Sequence, residues 1–282
     1  MRQALTYAWW PLLFAASVAA TTYGIQIGHP VLVFNIAYIA LAIAIALLER
    51  AFPHEKAWLQ NDGQVLPDIA HTVLNKGIAQ VIVVVVAFMG IADLAAPKAG
   101  ALWPEQLPFA VQTALGLVIA EFGLYWKHRL AHEWPPLWRF HAVHHSVTRL
   151  WFLNTGRFHL VDTLTGLAVA MPVLLLLGAP KEIMIMVSAI TAIIGILTHS
   201  NVEMRCGVLS LVFNTPELHR WHHSKVLVEG NRNYGENLML FDQLFGTYFN
   251  APRRPPADIG IHQPMPETFL GQLAIPFTRA PL

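Results

Sequence analysis

The sequence predicts an all-α fold: a polytopic membrane helical bundle of about four to six transmembrane or re-entrant helices with a cytoplasmic helical cap. Three observations predict it. Only 12% of the 282 residues are charged and 55% are hydrophobic, whereas soluble domains carry roughly 25% charged residues. The mean hydropathy is correspondingly positive, at +0.47. Long apolar runs alternate with short segments that collect most of the arginines, lysines and histidines, the pattern of a chain that repeatedly enters and leaves a bilayer.

A hydrocarbon core is crossed by about 20 apolar residues in helical form. Runs of that kind cover residues 7–27, 31–48, 74–95, 107–126, 160–179 and 181–199. The first contains Ser17-Val18-Ala19-Ala20, which also suits signal-peptide cleavage. Apolar character continues past it, so an uncleaved anchor is expected. The fourth run continues into polar sequence: LPFAVQTALGLVIAEFGLYWKHRLAH, residues 107–132. As one helix it extends about 39 Å at roughly 1.5 Å per residue, longer than a hydrocarbon core of roughly 30 Å. Its last two turns, with His128 and His132, therefore project beyond the membrane until Pro135-Pro136 ends the helix. The final two runs, joined by Gly178-Ala179-Pro180-Lys181, form a tight hairpin that either spans or re-enters. Residues 1–282 read as a single integral-membrane domain, mainly transmembrane helices over 1–126, with a cap built from 127–159 and 200–282.

Orientation follows from the basic residues, which concentrate on the cytoplasmic side of membrane proteins. Arg2, Arg50, Lys56 and Lys76 flank one set of helix ends, and the dense basic group from Lys127 to Arg157 shares that side. So do Arg205, Arg220, Lys225, Arg232, Arg253 and Arg254, while the opposite loops hold only Lys98 and Lys181. Both termini and the histidine-rich segments are therefore expected in the cytoplasm. A formal net charge of +1, with no Lys/Arg-rich stripe, argues against a nucleic-acid partner. The single cysteine, Cys206, rules out an intrachain disulfide and cannot build a thiolate metal site alone. Any metal is held by imidazole and oxygen.

Fourteen histidines are present, ten of them between His128 and His223. H-R-L-A-H places His128 and His132 four apart, hence on one helical face. LWRFHAVHHS places His141, His144 and His145 at i, i+3 and i+4, and ELHRWHHS repeats that spacing with His219, His222 and His223. His199, in T-H-S-N, follows the last apolar run. Nine imidazoles thus converge from four segments on one membrane surface. Isolated histidines such as His29, His54, His71 and His262 read as hydrogen-bonded or interfacial side chains. Clustered ones do not. Side by side they repel if charged and leave ring nitrogens unpaired if neutral, at roughly 1–3 kcal/mol per unsatisfied group. A divalent metal removes both penalties, since neutral imidazole is a good ligand for zinc, iron, copper and nickel. Nine ligands exceed the complement of one ion, so a histidine-rich dinuclear metal site is the natural count.

Other histidine chemistries fit less well. A bis-histidine haem needs two ligands facing each other across helices. A metal transporter places ligands near the bilayer midplane, and an H-E-x-x-H hydrolase needs a glutamate within the motif. Soluble di-iron oxygenases use glutamates with E-x-x-H pairs. An all-histidine dinuclear centre facing lipid, suited to O2 activation, is what the residues favour. A membrane metal-binding protein without redox chemistry, either a transporter or a zinc-dependent lipid enzyme, is the competing class.

The ordered series H-R-L-A-H, F-H-A-V-H-H-S, T-H-S-N and L-H-R-W-H-H-S, with N-Y-G-E-N-L-M-L-F-D-Q-L-F-G-T after it, resembles the membrane fatty acid hydroxylase/sterol desaturase superfamily over roughly residues 118–250. It is most similar to the bacterial members, which implies a bacterial inner-membrane location. The resemblance implies two iron ions (Fe2+/Fe3+) that use O2 and externally supplied electrons to hydroxylate an unactivated C–H bond of a membrane lipid, whether fatty acyl, sterol or related. A lipid or sterol desaturase with the same centre is the alternative. By motif the ligands would be His128, His132, His141, His144, His145, His199, His219, His222 and His223. His159, in R-F-H-L-V-D, matches a position where some sterol-type members have His-Pro and is an additional candidate ligand.

Glu121-Phe122 stands where many relatives have Asp-Phe. Glu121 lies seven residues before His128, on the same helical face and inside the membrane boundary, where a carboxylate is functional by default. It is expected to orient a ligand imidazole. No nicotinamide, flavin or haem-attachment motif is present. Electrons are therefore expected from a separate donor protein of ferredoxin or cytochrome type, docking on the basic cap at Arg139, Arg149, Arg157 and Arg220. Trp138, Trp151 and Trp221 are expected at headgroup depth.

Overall fold

The computed structural model describes residues 2–88 and 102–282; Lys98 and the end of the expected third span lie outside them. Six long helices follow the apolar runs, and shorter ones build the cap, among them the two that carry the H-x-x-H-H motifs. In chain order these are α1 (Arg2–Gln26), α2 (Pro30–Ala51), α3 (Val65–Phe88), α4 (Phe109–Glu133), α5 (Pro135–His145), α6 (Leu160–Leu177), α7 (Lys181–Thr198) and α8 (Pro216–His222). Helices α1, α2, α4, α6 and α7 are long and apolar enough to cross a membrane. The chain is a multi-pass membrane bundle. Among the described residues, β pairing is limited to the isolated bridges Pro53–Val202, Phe213–Leu238 and Ser224–Ile259.

Local chemistry sets the helix ends that matter for the site. Trp134 closes α4 and opens α5 in an extended conformation, φ −114° and ψ 111°, because a residue preceding proline is pushed out of the helical region. Pro135 then starts α5, where a missing N–H costs nothing. The chain thus turns sharply between His132 and His141. At the far end of α6, Gly178 adopts φ +80° and donates its N–H to the carbonyls of Leu174 and Leu175, the left-handed helix stop that glycine favours. Pro180 follows as N-cap of α7, which makes 160–198 a tight pair of helices.

Helix α7 lies at the centre of the bundle. Ile183, Met186, Val187, Ile190 and Ile194 pack against Leu117, Ala120 and Leu124 of α4 and Ala170 and Leu174 of α6. The next face, Ile193, Ile196 and Leu197, packs against Trp10 of α1 and Leu41 and Ile45 of α2. In lipid the apolar medium offers little reason for helices to associate, so close van der Waals packing at small residues carries the contact. Gly123 is such a point: a Cβ there would lie 2.5 Å from the Val169 carbonyl oxygen of α6. On α2, Leu32, Ile36, Ile39, Ile43 and Leu47 form an exposed stripe at helical spacing, the lipid-facing side.

Buried polar side chains bind the cap to the bundle. Glu49, near the end of α2, accepts the backbone N–H of Phe152 at 2.8 Å and of Asn201 at 2.9 Å. Asp68 on α3 accepts Arg157 at 2.9 Å and the Trp151 indole at 2.9 Å. Thr72 donates to the Leu153 carbonyl at 2.8 Å. The segment between α5 and α6 is thereby held over the ends of α2 and α3.

Candidate metal centre

The nine motif histidines converge in two adjoining groups. His128, His132, His141, His145 and His222 form one, and His144, His199, His219 and His223 the other; within each, one ring nitrogen per residue lies within 4.8 Å of all the rest. The sharing is reciprocal. Helix α5 sends His141 and His145 to the first group and His144 to the second, whereas the α8 motif sends His219 and His223 to the second and His222 to the first. Each H-x-x-H-H motif therefore serves both groups.

The outward-facing nitrogens fix the protonation of the rings. The Nδ1 atoms of His128, His144 and His222 lie 2.7, 3.2 and 2.7 Å from the backbone carbonyls of Tyr234, Arg157 and Arg232. A carbonyl only accepts, so each Nδ1 carries the proton and donates, and in a neutral ring Nε2 is left as a bare lone pair. His141 Nδ1 meets Asp162 Oδ2 at 3.0 Å, His132 Nδ1 meets Asn231 Oδ1 at 3.1 Å, and His199 Nδ1 meets Asn154 Oδ1 at 2.9 Å. The Asn154 amide is itself oriented, since its Nδ2 donates to the Arg149 carbonyl.

The inward-facing nitrogens have no such satisfaction. Nε2 of His128, His132 and His222 is buried without a hydrogen-bond partner. Nε2 of His219 lies 2.9 Å from Nε2 of His199 and 3.1 Å from that of His223, and Nε2 of His145 lies 3.1 Å from Nε2 of His141. Lone pairs pointing at one another in a dry interior are costly. A cation in each group would accept them all, and imidazole-only donors suit iron, copper, nickel or zinc. Burial, and after it the neighbouring imidazoles, holds His144, His145, His219 and His223 well below the ordinary histidine pKa. Burial, with a smaller contribution from the neighbouring His141, brings His222 down to about 3. Rings that stay neutral at physiological pH are rings ready to coordinate.

The comparisons with known proteins agree with this site. Residues 113–247 match the fatty acid hydroxylase family. The ornithine lipid hydroxylase OlsE of Rhizobium tropici is 51% identical over 275 residues, covering 96% of this chain and 83% of that protein. The chain belongs to the fatty acid hydroxylase family. More distant family relatives include human alkylglycerol monooxygenase, 30% identical over 45% of this chain and 28% of its own length. The Delta(7)-sterol-C5(6)-desaturase of Nicotiana tabacum is 30% identical over 50% of this chain and 51% of its own. No solved structure matches the chain. The matched family segment contains all nine clustered histidines.

Several sequence expectations are corrected within this hydroxylase framework. His159 lies outside both groups: its Nδ1 accepts the Val161 N–H at 3.1 Å as the N-cap of α6, and its Nε2 meets the Leu273 carbonyl at 3.1 Å. Neither nitrogen faces the centre. Among the described residues, Glu121 is hydrogen-bonded to no imidazole. It accepts the backbone N–H groups of Glu236 at 2.6 Å and Asn237 at 2.9 Å, pinning the loop whose Tyr234 carbonyl holds His128. The carboxylate that holds an imidazole of the two groups is Asp162, in the R-F-H-L-V-D run, which meets His141 and also pairs with Lys127 at 2.6 Å. Asn231, just before the N-Y-G-E-N motif, and Tyr234, within it, were equally visible in the sequence but carry no signal of this role, because one acts through an amide and the other through its backbone.

The four arginines expected to dock a donor are taken up by the fold. Arg139 donates to the carbonyls of Ile275, Pro276, Thr278 and Ala280. Arg149 pairs with Asp62 and Arg157 with Asp68, while Arg220 donates to the Ser200 and Val202 carbonyls. Of the tryptophans, Trp221 is fully buried, Trp151 is bonded to Asp68, and Trp138 lies 5.4 Å from His132 and 5.6 Å from His145. Two of the isolated histidines are structural: His54 bonds Glu203 at 2.8 Å, and His71 bridges the Phe158 carbonyl and Gln272.

Proposed function

We propose that the chain is an O2-dependent hydroxylase of a membrane lipid, with its nine clustered histidines holding two iron ions. The observation that carries this reading is the convergence of imidazole Nε2 atoms in two reciprocal histidine groups, unpartnered for His128, His132 and His222 of the first and turned towards one another at His199, His219 and His223 of the second. The acceptors behind His128, His132, His141, His144, His199 and His222 hold Nδ1 and leave Nε2 of those six rings free for a metal, and such outer partners strengthen and orient metal ligands. Bound there, the iron pair would supply the redox chemistry that inserts one oxygen atom of O2 into a C–H bond, the other leaving as water. Two electrons and two protons complete the balance, delivered by a separate ferredoxin- or cytochrome-type protein.

The kinship to an ornithine lipid hydroxylase over nearly the whole chain supports an amino-acid-containing lipid as substrate. The asymmetry of the basic residues supports a bacterial inner-membrane placement with both termini and the histidines facing the cytoplasm. Desaturation is the second reading, favoured by the sterol desaturase among the relatives.

The test is expression in a bacterium that makes ornithine lipid, with lipid mass spectrometry under isotopically labelled O2. The expected product carries one labelled oxygen and requires iron in the purified protein. A product lacking two hydrogens and carrying no label would establish desaturation instead. Turnover without O2, or with zinc alone, would remove the oxygenase reading. A reporter fused to the C-terminus should be active only in its cytoplasmic form.

A further inference from the structure

A line of oxidisable rings leads away from the histidine centre. Tyr234 stands edge-on to His128, His132 and His222, with ring centroids 5.9, 5.2 and 6.0 Å away. All three belong to the first group. On the other side of Tyr234, Tyr125 lies 6.1 Å away, and Trp126 lies 5.6 Å beyond Tyr125. Tyr234 and Tyr125 are fully buried, whereas Trp126 is half-buried and reaches the surface beneath Arg129. Electron transfer between side chains weakens exponentially with separation, so adjoining rings of low ionisation energy are the favoured route through a protein.

Packing alone explains Phe241 and Phe245, which surround Tyr125. It does not explain the phenol. A phenylalanine at 125 would fill the same space, while a buried hydroxyl is unfavourable unless partnered. Tyr125 Oη lies 2.9 Å from Thr247 Oγ1, and Thr247 Oγ1 donates to Asp242 Oδ1 at 2.7 Å. A carboxylate accepts only, so the Thr247 proton is committed to Asp242 and Tyr125 must donate to Thr247. Asp242 is itself fully buried and held by the N–H groups of Tyr234 and Gly235. The result is a phenol with an electron path to the centre and a proton path to a carboxylate.

We propose that Tyr125 is a one-electron reserve that protects the histidine centre when O2 is consumed without lipid in place. This rests on the oxygenase reading above. An O2-derived oxidant arising at the centre with no substrate C–H bond in reach would otherwise attack the imidazoles. Instead, one electron leaves Tyr125 through the Tyr234 ring and reduces that oxidant. The phenolic O–H bond breaks in the same step: its proton passes to Thr247 Oγ1, and the Thr247 proton passes to the Asp242 carboxylate. A neutral tyrosyl radical and a neutral Asp242 carboxyl remain. Arg129, paired with Glu133, lies 5.4 Å from the Trp126 ring and donates to Tyr125 Oη at 3.3 Å; of the two rings it is Tyr125 whose proton has the path through Thr247 to Asp242, so the radical rests on Tyr125. A soluble one-electron reductant of the ascorbate or thiol class then returns the electron through Trp126, Asp242 returns the proton, and the O–H bond re-forms.

The experiment uses full-length, iron-loaded protein in detergent, reduced without air and mixed with O2 in the absence of lipid. Freeze-quench electron paramagnetic resonance should detect a tyrosyl radical in the unaltered protein and none in Tyr125→Phe. Thr247→Val, which leaves the Tyr125 ring in place and removes its proton acceptor, should give a severalfold smaller signal and serves if Tyr125→Phe does not fold. Peptide mass mapping after lipid-free turnover should find severalfold more oxidised histidine in both variants, with initial rates on lipid unchanged. Hydroxylated lipid without a radical, or a radical undiminished in both variants, overturns the relay and leaves the oxygenase reading standing. Neither product nor radical from iron-loaded protein takes both down.

Discussion

His145 of α5 and His223, which follows α8, lie face to face, their ring centroids 4.4 Å apart and their planes inclined by 21°. They belong to different histidine groups. Two cations held by these groups would share a wall of imidazole, and neither group can be rearranged without moving rings that serve the other.

Removing one ring should therefore affect both groups. His223→Ala takes one of four donors from the second group and the stacking partner from His145. The variant is expected to retain one metal ion per chain where the unaltered protein should bind two, and to hold that ion more weakly, by the roughly 10–100-fold typical of lost supporting contacts. Metal analysis after dialysis against a chelator series measures both quantities. Two ions bound at unaltered affinity would show that the groups are independent.

Glu121 supplies a second case of action at a distance. Its carboxylate takes two backbone N–H groups, and the loop so pinned presents the Tyr234 carbonyl to His128. Glu121→Gln keeps the shape but replaces one acceptor oxygen by a donor, which leaves one of the two N–H groups unsatisfied at about 1–3 kcal/mol. The melting temperature should fall accordingly, and iron affinity should fall with it because His128 loses its fixed tautomer. A variant with normal stability and normal affinity would reduce Glu121 to a packing residue.

Much of this arrangement was legible in the sequence, for identifiable reasons. The apolar runs gave the span-length helices, and Trp134-Pro135-Pro136 marked the break between α4 and α5. Helix α3 starts at Val65, earlier than hydropathy places it, because its first turns carry Asp68, His71 and Asn75, buried against the cap rather than in lipid. The spacing H-x-x-H-H marked the histidine cluster but not how its rings divide. Neighbouring residues on a helix diverge by about 100°, so His144 and His145 address different groups while His141 and His145, one turn apart, address the same one. The carbonyls of Tyr234, Arg157 and Arg232 were invisible, since every residue has one.

The buried imidazoles make the metal-free protein sensitive to acid. His222 has its folded-state pKa lowered to about 3, against roughly 6.5 in an unfolded chain. Between those values the unfolded state binds the proton and the folded state does not, so stability is full above about pH 6.5 and declines as pH falls towards 3. His222 alone contributes a slope of about 1.4 kcal/mol per pH unit, and His144, His145, His219 and His223 act in the same direction. The metal-free protein should therefore melt at lower temperature at pH 5.5 than at pH 7.5, by more than the iron-loaded protein does, since bound metal competes with protons. Equal pH dependence of the two forms would mean that the rings are not neutral and unpaired as placed.

Asp162 lets stability and metal binding be separated. It joins Lys127 at 2.6 Å and His141 at 3.0 Å, and all three side chains are almost completely buried. Asp162→Asn strands the Lys127 ammonium in a dry site, and breaking a buried pair in this way costs about 3–5 kcal/mol. Replacing both partners, Lys127→Met with Asp162→Asn, removes the stranded charge and should recover most of that loss. It should not recover iron affinity, because His141 would still face an amide where it had a carboxylate, with the roughly 10–100-fold weakening expected of such a change. Thermal melts and iron titrations of the single and double variants decide the matter. A double variant that regains both stability and affinity would show that Asp162 acts only as the counter-ion of Lys127 and does not set the basicity of His141.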